Sequence, residues 1–147
     1  MLPLKIHCIS ATRRNSEEQD PQEQSEVVNR YMIQKAVNML MRGTFNLSSF
    51  EGLEDFYAYL RGRLSLEVER LQTSSIKITV KCRTLAILER LWGDYISGRL
   101  NAEAEKCLIT KKVKDELGME TIVLATTILE KDYMTCKLSL TEISGTF

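Results

Sequence analysis

Ser75-Ile76-Lys77-Ile78-Thr79-Val80-Lys81-Cys82 is the stretch of sequence that decides the fold. Apolar and polar side chains alternate strictly along it, and β-branched residues dominate it, which is the pattern of a half-buried β-strand. The alternation turns one set of side chains into the core and leaves Lys77, Thr79 and Lys81 together on a solvated face. A strand with one wet face is typical of an antiparallel sheet that is covered on one side only.

A second strand is predicted over residues 119–128, although its alternation is less strict. If Ile122, Leu124 and Thr126 point inward, then Val123 and Ala125 point outward, and Val123 becomes an exposed apolar residue. The opposite parity is also compatible with this sequence. A shorter alternation near the start of the chain predicts that residues 1–11 are an edge strand or a tail.

Helical periodicity separates these strands. One helix is predicted over residues 28–40 with a stop at Gly43, and Ser48-Ser49-Phe50-Glu51 has the pattern of a capping box. The longest apolar stripe predicts a single helix through residues 53–71. Further on, the predicted caps are Thr84, then Asn101, then Thr110 with a stop at Gly118, and a last helix spans residues 130–140.

The predicted organisation is a single domain over residues 27–143 of the α+β class. It is an α–β sandwich, in which helices pack on one face of a small antiparallel sheet. Residues 12–26 contain no strongly apolar side chain, so they cannot bury a face and are predicted to form a polar flexible linker.

Composition argues against several classes of function. The 147 residues contain 20 basic and 20 acidic side chains, and this zero net charge disfavours binding to nucleic acid or to a membrane surface. There is one histidine, His7, no glycine-rich phosphate loop and no zinc-type spacing, so we expect no catalytic residues, no metal site and no cofactor. The four cysteines are widely spaced, and we expect buried, reduced thiols in a cytoplasmic protein, with a disulfide or a reactive thiol as the alternative.

The strand at residues 75–82 and the segments that follow it resemble a known family. Leu71, the strand itself, the helix that ends in Tyr95-Ile96-Ser97-Gly98-Arg99-Leu100, and Glu105-Lys106-Cys107-Leu108 are similar to TRADD-like N-terminal domains, the modules of tumour-necrosis-factor-receptor-associated death-domain adaptors. The resemblance covers roughly residues 71 to 138. It implies an α–β sandwich and a non-enzymatic scaffold of death-receptor or innate-immune signalling that binds a TRAF-type adaptor. In that family the open sheet face makes the contact, and the positions that match it here are Lys77, Thr79, Lys81, Val123 and Ala125.

The sequence therefore favours a protein–protein interaction module in apoptotic signalling. Two alternatives remain: a small ligand-binding or enzymatic α+β domain with a pocket between helices and sheet, and a structural module in which a second copy of the chain completes the sheet as a homo-oligomer.

Overall fold

A computed structural model describes residues 1–14, 21–41, 51–72 and 75–145. Its strands are β1 (Leu2–Arg13), β2 (Glu67–Gln72), β3 (Ile76–Lys81) and β4 (Met119–Thr127). Its helices are α1 (Pro21–Met41), α2 (Glu51–Ala58), α3 (Leu85–Ile96), α4 (Arg99–Leu108), α5 (Lys111–Leu117) and α6 (Glu130–Gly145), and a π-helical segment, Tyr59–Arg63, follows α2.

The four strands form one sheet in the order β2-β3-β1-β4, and each neighbouring pair is antiparallel. This architecture confirms the predicted α+β class and the small antiparallel sheet. The two strands recognised most clearly in the sequence are not neighbours, however, because β1 lies between them. β1 pairs with β3 through residues 2–6 and with β4 through residues 5–13.

The prediction for the start of the chain was wrong about the position of this strand in the sheet. Residues 1–11 were expected to form an edge strand or a tail, yet β1 is an internal strand of the sheet. Of the expected linker at residues 12–26, Thr12 and Arg13 belong to β1, and α1 already begins at Pro21. The predicted domain bounds, 27–143, therefore leave out a central strand.

The prediction of one long helix over residues 53–71 is also wrong for its second half. The π-helical segment ends at Arg63, Ser65 adopts a positive φ of 56°, and the chain then turns back as β2. Val68 and Leu71, which continue the helical stripe in sequence, lie opposite Val80 and Ile78 of β3. Pairing with a neighbouring strand has overridden the local periodicity.

Helix ends follow local chemistry at most of the predicted points. The Thr84 and Thr110 hydroxyls accept the N–H groups of Ile87 and Val113, which confirms both caps. Gly118 ends α5 in the left-handed region, with a φ of 66°. Asn101 is not a cap, because α4 begins after Gly98 and Asn101 lies within it. Gly43 and the capping box at residues 48–51 fall outside the described residues, apart from Glu51, the first residue of α2.

The hydrophobic core lies against one face of the sheet. Leu2, Leu4, Ile6 and Cys8 alternate as buried positions along β1. The inward-facing residues predicted for β3 and β4 are buried as well: Ile76, Ile78, Val80, Ile122, Leu124 and Thr126. The structure thus confirms the parity in which Val123 and Ala125 point outward. Helical side chains complete this cluster, among them Phe56, Leu60, Leu88, Leu91, Leu100 and Leu108.

Candidate interaction surface

The sheet has a second face, on the side away from the core, which we call the open face. On β3 it carries Lys77 and Thr79, which are half-buried, and Lys81, which is exposed. On β4 it carries Ala125, which is half-buried, and Val123, which is 41% exposed. All of the site residues predicted from the sequence therefore share one side of the sheet, as strand alternation requires.

Four basic side chains occupy the β2–β3–β1 part of this face, and we call them the basic cluster: Lys5, Arg70, Lys77 and Lys81. Lys5 lies directly opposite Lys77 across the β1–β3 pair, and Arg70 lies opposite Thr79 across the β2–β3 pair. Directly opposite like charges destabilise a sheet, so this arrangement costs the fold some stability.

Carboxylates do not neutralise the basic cluster within the described part of the chain. Glu67 lies opposite Lys81, but its carboxylate pairs with the guanidinium of Arg83 instead. The other ion pairs of the described residues, Arg14–Asp115 and Lys137–Glu89, involve no member of the cluster. The cluster therefore presents its charge to solvent, where it can attract an acidic surface.

The β4 end of the open face is different in character. A β-bulge between Cys8 and Ser10 places two residues of β1 against Val123, and the extra residue, Ile9, is 48% exposed. Ile9 and Val123 therefore form a small apolar patch. From the register, Val123 and Lys81 are separated by about eight residue positions along the strand direction, or roughly 25 Å. Val123 and Lys81 thus mark opposite ends of the face, whereas Lys77, opposite Lys5, and Ala125, opposite His7, are only two positions apart along the strand direction.

Sequence reasoning missed Lys5, Arg70 and Ile9 as parts of this surface. Lys5 lies in the short alternation of β1, and its parity could have been read from Leu4 and Ile6. Arg70 was hidden by the assignment of β2 to a helix. Ile9 reaches the surface through a bulge, which no local residue pattern announces.

Two side chains of α4 hydrogen-bond to the backbone at the outer edge of β4. The Leu124 N–H donates to Glu105 Oε2 at 3.0 Å, and Asn101 Nδ2 donates to the Leu124 carbonyl oxygen at 2.9 Å. Thr126 Oγ1 in turn donates to Asn101 Oδ1 at 2.9 Å. An edge whose backbone groups are occupied in this way resists the addition of a further strand.

Asn29 of α1 has the same role where β1 extends beyond β3. The Cys8 N–H donates to Asn29 Oδ1 at 2.7 Å, and Asn29 Nδ2 donates to the Cys8 carbonyl oxygen at 3.0 Å. Helical side chains thus occupy strand positions that a partner strand would otherwise use. These contacts occupy the strand edges at Leu124 and Cys8 only, and β2 forms the other outer edge of the sheet. The open face is the surface that the predicted site residues share.

Three of the four cysteine thiols are poorly suited to nucleophilic chemistry near neutral pH. Burial raises the pKa of the Cys8 and Cys107 thiols and raises that of Cys82 to about 12, so these thiols are protonated near neutral pH. In the described ranges, no group of three or more His, Cys, Asp or Glu side chains could hold a metal ion. None of the helices in those ranges is long and apolar enough to span a membrane.

Comparison with known proteins shows what part of the chain is similar to a known family. Residues 50–112 match the family model of the TRADD-like N-terminal domain. This match confirms the resemblance seen in the sequence. It covers less than half of the chain, from the start of α2 into α5, and it contains three members of the basic cluster but neither β1 nor β4. Domains of this family are typically non-enzymatic adaptor domains.

Two curated relatives have a stretch similar to this chain: the human and the mouse DNA-binding death effector domain-containing protein 2. Each is 26% identical over 72 residues, which is 49% of this chain and 22% of the relative. The similarity therefore spans about a fifth of the relatives' length. No solved structure matches the chain. Part of the chain is thus similar to a TRADD-like N-terminal domain and to a stretch of two death effector domain-containing proteins.

Proposed function

We propose that this chain is a cytoplasmic protein–protein interaction module of death-receptor or innate-immune signalling, and that its basic cluster binds an acidic surface on a partner. The observation that carries this proposal is the Lys5–Lys77 pair, two like charges placed directly opposite each other on an exposed sheet. A surface that lowers the stability of the fold is typical of a functional site, because binding recovers the cost. The partner class that the TRADD-like resemblance implies is the C-terminal domain of a TRAF-type adaptor.

Electrostatics favour a different protein over a second copy of the chain. A two-fold dimer whose axis passes through the basic cluster would bring each cluster close to its own copy. Like-charge juxtaposition across an interface costs several kcal/mol, typically enough to exclude that pairing. An acidic partner has the opposite effect, because it raises the rate of association and offsets the repulsion between Lys5 and Lys77.

DNA is the competing ligand, because the names of both relatives describe DNA-binding proteins. Phosphate contacts also use lysine and arginine, so the basic cluster alone does not separate the two ligands. The zero net charge of the chain favours a protein partner, because nucleic-acid-binding domains usually carry a basic excess.

The test is a binding titration with the purified C-terminal domain of a TRAF-type adaptor. The double variant Lys77→Glu/Lys81→Glu should lose at least tenfold in affinity and keep its circular dichroism spectrum. The matched control Lys111→Glu/Lys112→Glu changes the net charge equally on exposed α5 positions and should bind like the unmodified chain. Equal binding by both variants would remove the basic cluster as the site. Absence of binding by the unmodified chain would remove the TRAF-type partner, and tight binding to a DNA duplex in the same assay would replace a protein partner with nucleic acid.

A further inference from the structure

A pocket of about 580 Å³ lies between the end of β3 and α6. Its walls include Cys82, the residue directly after β3, and Cys136, in the middle of α6. The two cysteines are far apart in sequence, and the packing of α6 brings both to one cavity. Cys82 is buried, whereas Cys136 is half-buried.

The two thiols interact with each other in this pocket. Burial raises the pKa of Cys82 to about 12, and the neighbouring Cys136 side chain adds to the rise. The remaining cysteines have other surroundings: the Cys8 thiol donates to the carbonyl oxygen of Ser10 at 3.3 Å, and Cys107 lies on α4, where its carbonyl approaches Gly52 of α2.

We propose that Cys82 and Cys136 are a dithiol pair that closes to a disulfide when the protein meets a peroxide. All four cysteines are free thiols in the structure, so it represents the reduced state. Oxidation would join the end of β3 covalently to α6. Transient disulfides of this kind are the form in which oxidation acts on proteins of reducing compartments.

The surroundings assign a different role to each sulfur. Cys136, the more accessible thiol, reacts first: its sulfur attacks one oxygen of hydrogen peroxide and its S–H proton is released. The O–O bond breaks, Cys136 becomes a sulfenic acid, and hydroxide leaves. The Cys82 sulfur then attacks the Cys136 sulfur and loses its proton, so that the S–S bond forms and water is released. In total, two thiols lose two hydrogen atoms and one peroxide molecule becomes two molecules of water.

Charged residues form part of the pocket wall. Lys81 and Arg83 flank Cys82 in the sequence and line the same cavity. Asp132, one turn before Cys136 on α6, opposes them with a single negative charge. Arg83 also pairs with Glu67, so Lys81 is the cation of this wall without a carboxylate partner in the described part of the chain.

The test oxidises the full chain with hydrogen peroxide, blocks the remaining thiols by alkylation and maps the peptides without reduction. Trypsin is unsuitable, because cleavage after Lys81 and Arg83 leaves Cys82 in a dipeptide. Cleavage after glutamate places each cysteine in its own fragment, with Cys82 in residues 70–89 and Cys136 in residues 131–142. We expect these two fragments to be joined, and dithiothreitol to separate them.

The matched variants are Cys136→Ser, which should abolish the cross-link, and Cys107→Ser, which should leave it unchanged. Oxidation should also raise the Tm by on the order of 10 °C, because the disulfide closes a long loop of the unfolded chain. That rise should be absent in Cys136→Ser. Independent alkylation of Cys82 and Cys136 after peroxide treatment, or a cross-link that involves Cys8 or Cys107 instead, would overturn the proposal.

Discussion

Replacing Lys77 with glutamate should make the fold more stable, although the substitution of a surface lysine usually changes stability very little. Lys77 lies directly opposite Lys5, and the Cβ atoms of such a pair are about 5 Å apart. Two unit charges about 6 Å apart in water repel each other by about 0.7 kcal/mol. Lys77→Glu converts this repulsion into an attraction of similar size. Lysine and glutamate have similarly low strand propensities, so this contribution largely cancels.

Screening reduces the effect, because the Debye length is about 8 Å at physiological ionic strength. We therefore expect the free energy of unfolding to rise by about 1 kcal/mol at low salt and by less at 1 M salt. For a chain of this size the rise corresponds to roughly 3 °C in Tm. The measurement is urea unfolding followed by circular dichroism at two salt concentrations.

Two further variants isolate the electrostatic origin of this gain. Lys77→Gln removes the repulsion without adding an attraction, so it should show about half of the gain. In the double variant Lys5→Glu/Lys77→Glu the charges repel again, and its stability should return close to that of the unmodified chain. If the double variant is instead more stable than either single variant, or if the gain from Lys77→Glu does not depend on salt, the reasoning from the like-charge pair is refuted.

The remaining predictions concern the fold and its pH dependence. Asn29→Ala should lower the free energy of unfolding by about 2–3 kcal/mol, because it leaves both backbone groups of Cys8 without their amide partner. Gly52→Ala should cost about 3 kcal/mol, because its new Cβ would lie 2.3 Å from the carbonyl oxygen of Cys107. Burial raises the pKa of Tyr57 to about 12. The folded chain thus keeps a proton that the unfolded chain releases near pH 10, and stability should fall between pH 10 and 12.

Each of these predictions has a matched control and an outcome that contradicts it. Asn38→Ala changes an asparagine on the same helix whose bond among the described residues is to Gln34 of α1, and it should cost less than 0.5 kcal/mol in urea unfolding. Gly62→Ala meets no atom within 4 Å and should stay within about 1 kcal/mol of the unmodified chain. Tyr57→Phe should reduce the decrease in the free energy of unfolding above pH 10. If Asn38→Ala costs as much stability as Asn29→Ala, or Gly62→Ala as much as Gly52→Ala, the corresponding contact does not explain the loss. If Tyr57→Phe leaves the alkaline slope unchanged, the burial of Tyr57 does not explain that slope.

The parts of the fold that the sequence predicted well are those in which local pattern and tertiary environment agree. Strict alternation over residues 75–82 leaves one face for the core, so the strand and its wet lysine face follow directly from it. The Thr84 and Thr110 caps follow from chemistry confined to one helical turn. Asn101 has the side chain of a cap, but its amide bonds to β4, a partner distant in sequence.

The parts that could not be predicted depend on contacts between distant residues. The bulge at Ile9 interrupts the alternation of β1, and the polar end of that strand has the composition of a linker. Val68 and Leu71 continue a helical period and become strand residues only because β3 is beside them. For the same reason, the sequence shows that Lys77 is exposed, but only the strand register shows that it lies opposite Lys5.

The central position of β1 determines the order in which this chain can fold during synthesis. β1 leaves the ribosome first, yet its partners are residues 76–80 on one side and residues 119–127 on the other. Until those strands emerge, Leu2, Leu4 and Ile6 have no sheet in which to be buried, and pairings this distant in sequence form slowly. The nascent chain therefore carries an unpaired apolar strand until β3 and β4 have emerged, and exposed strands of this kind are prone to aggregate.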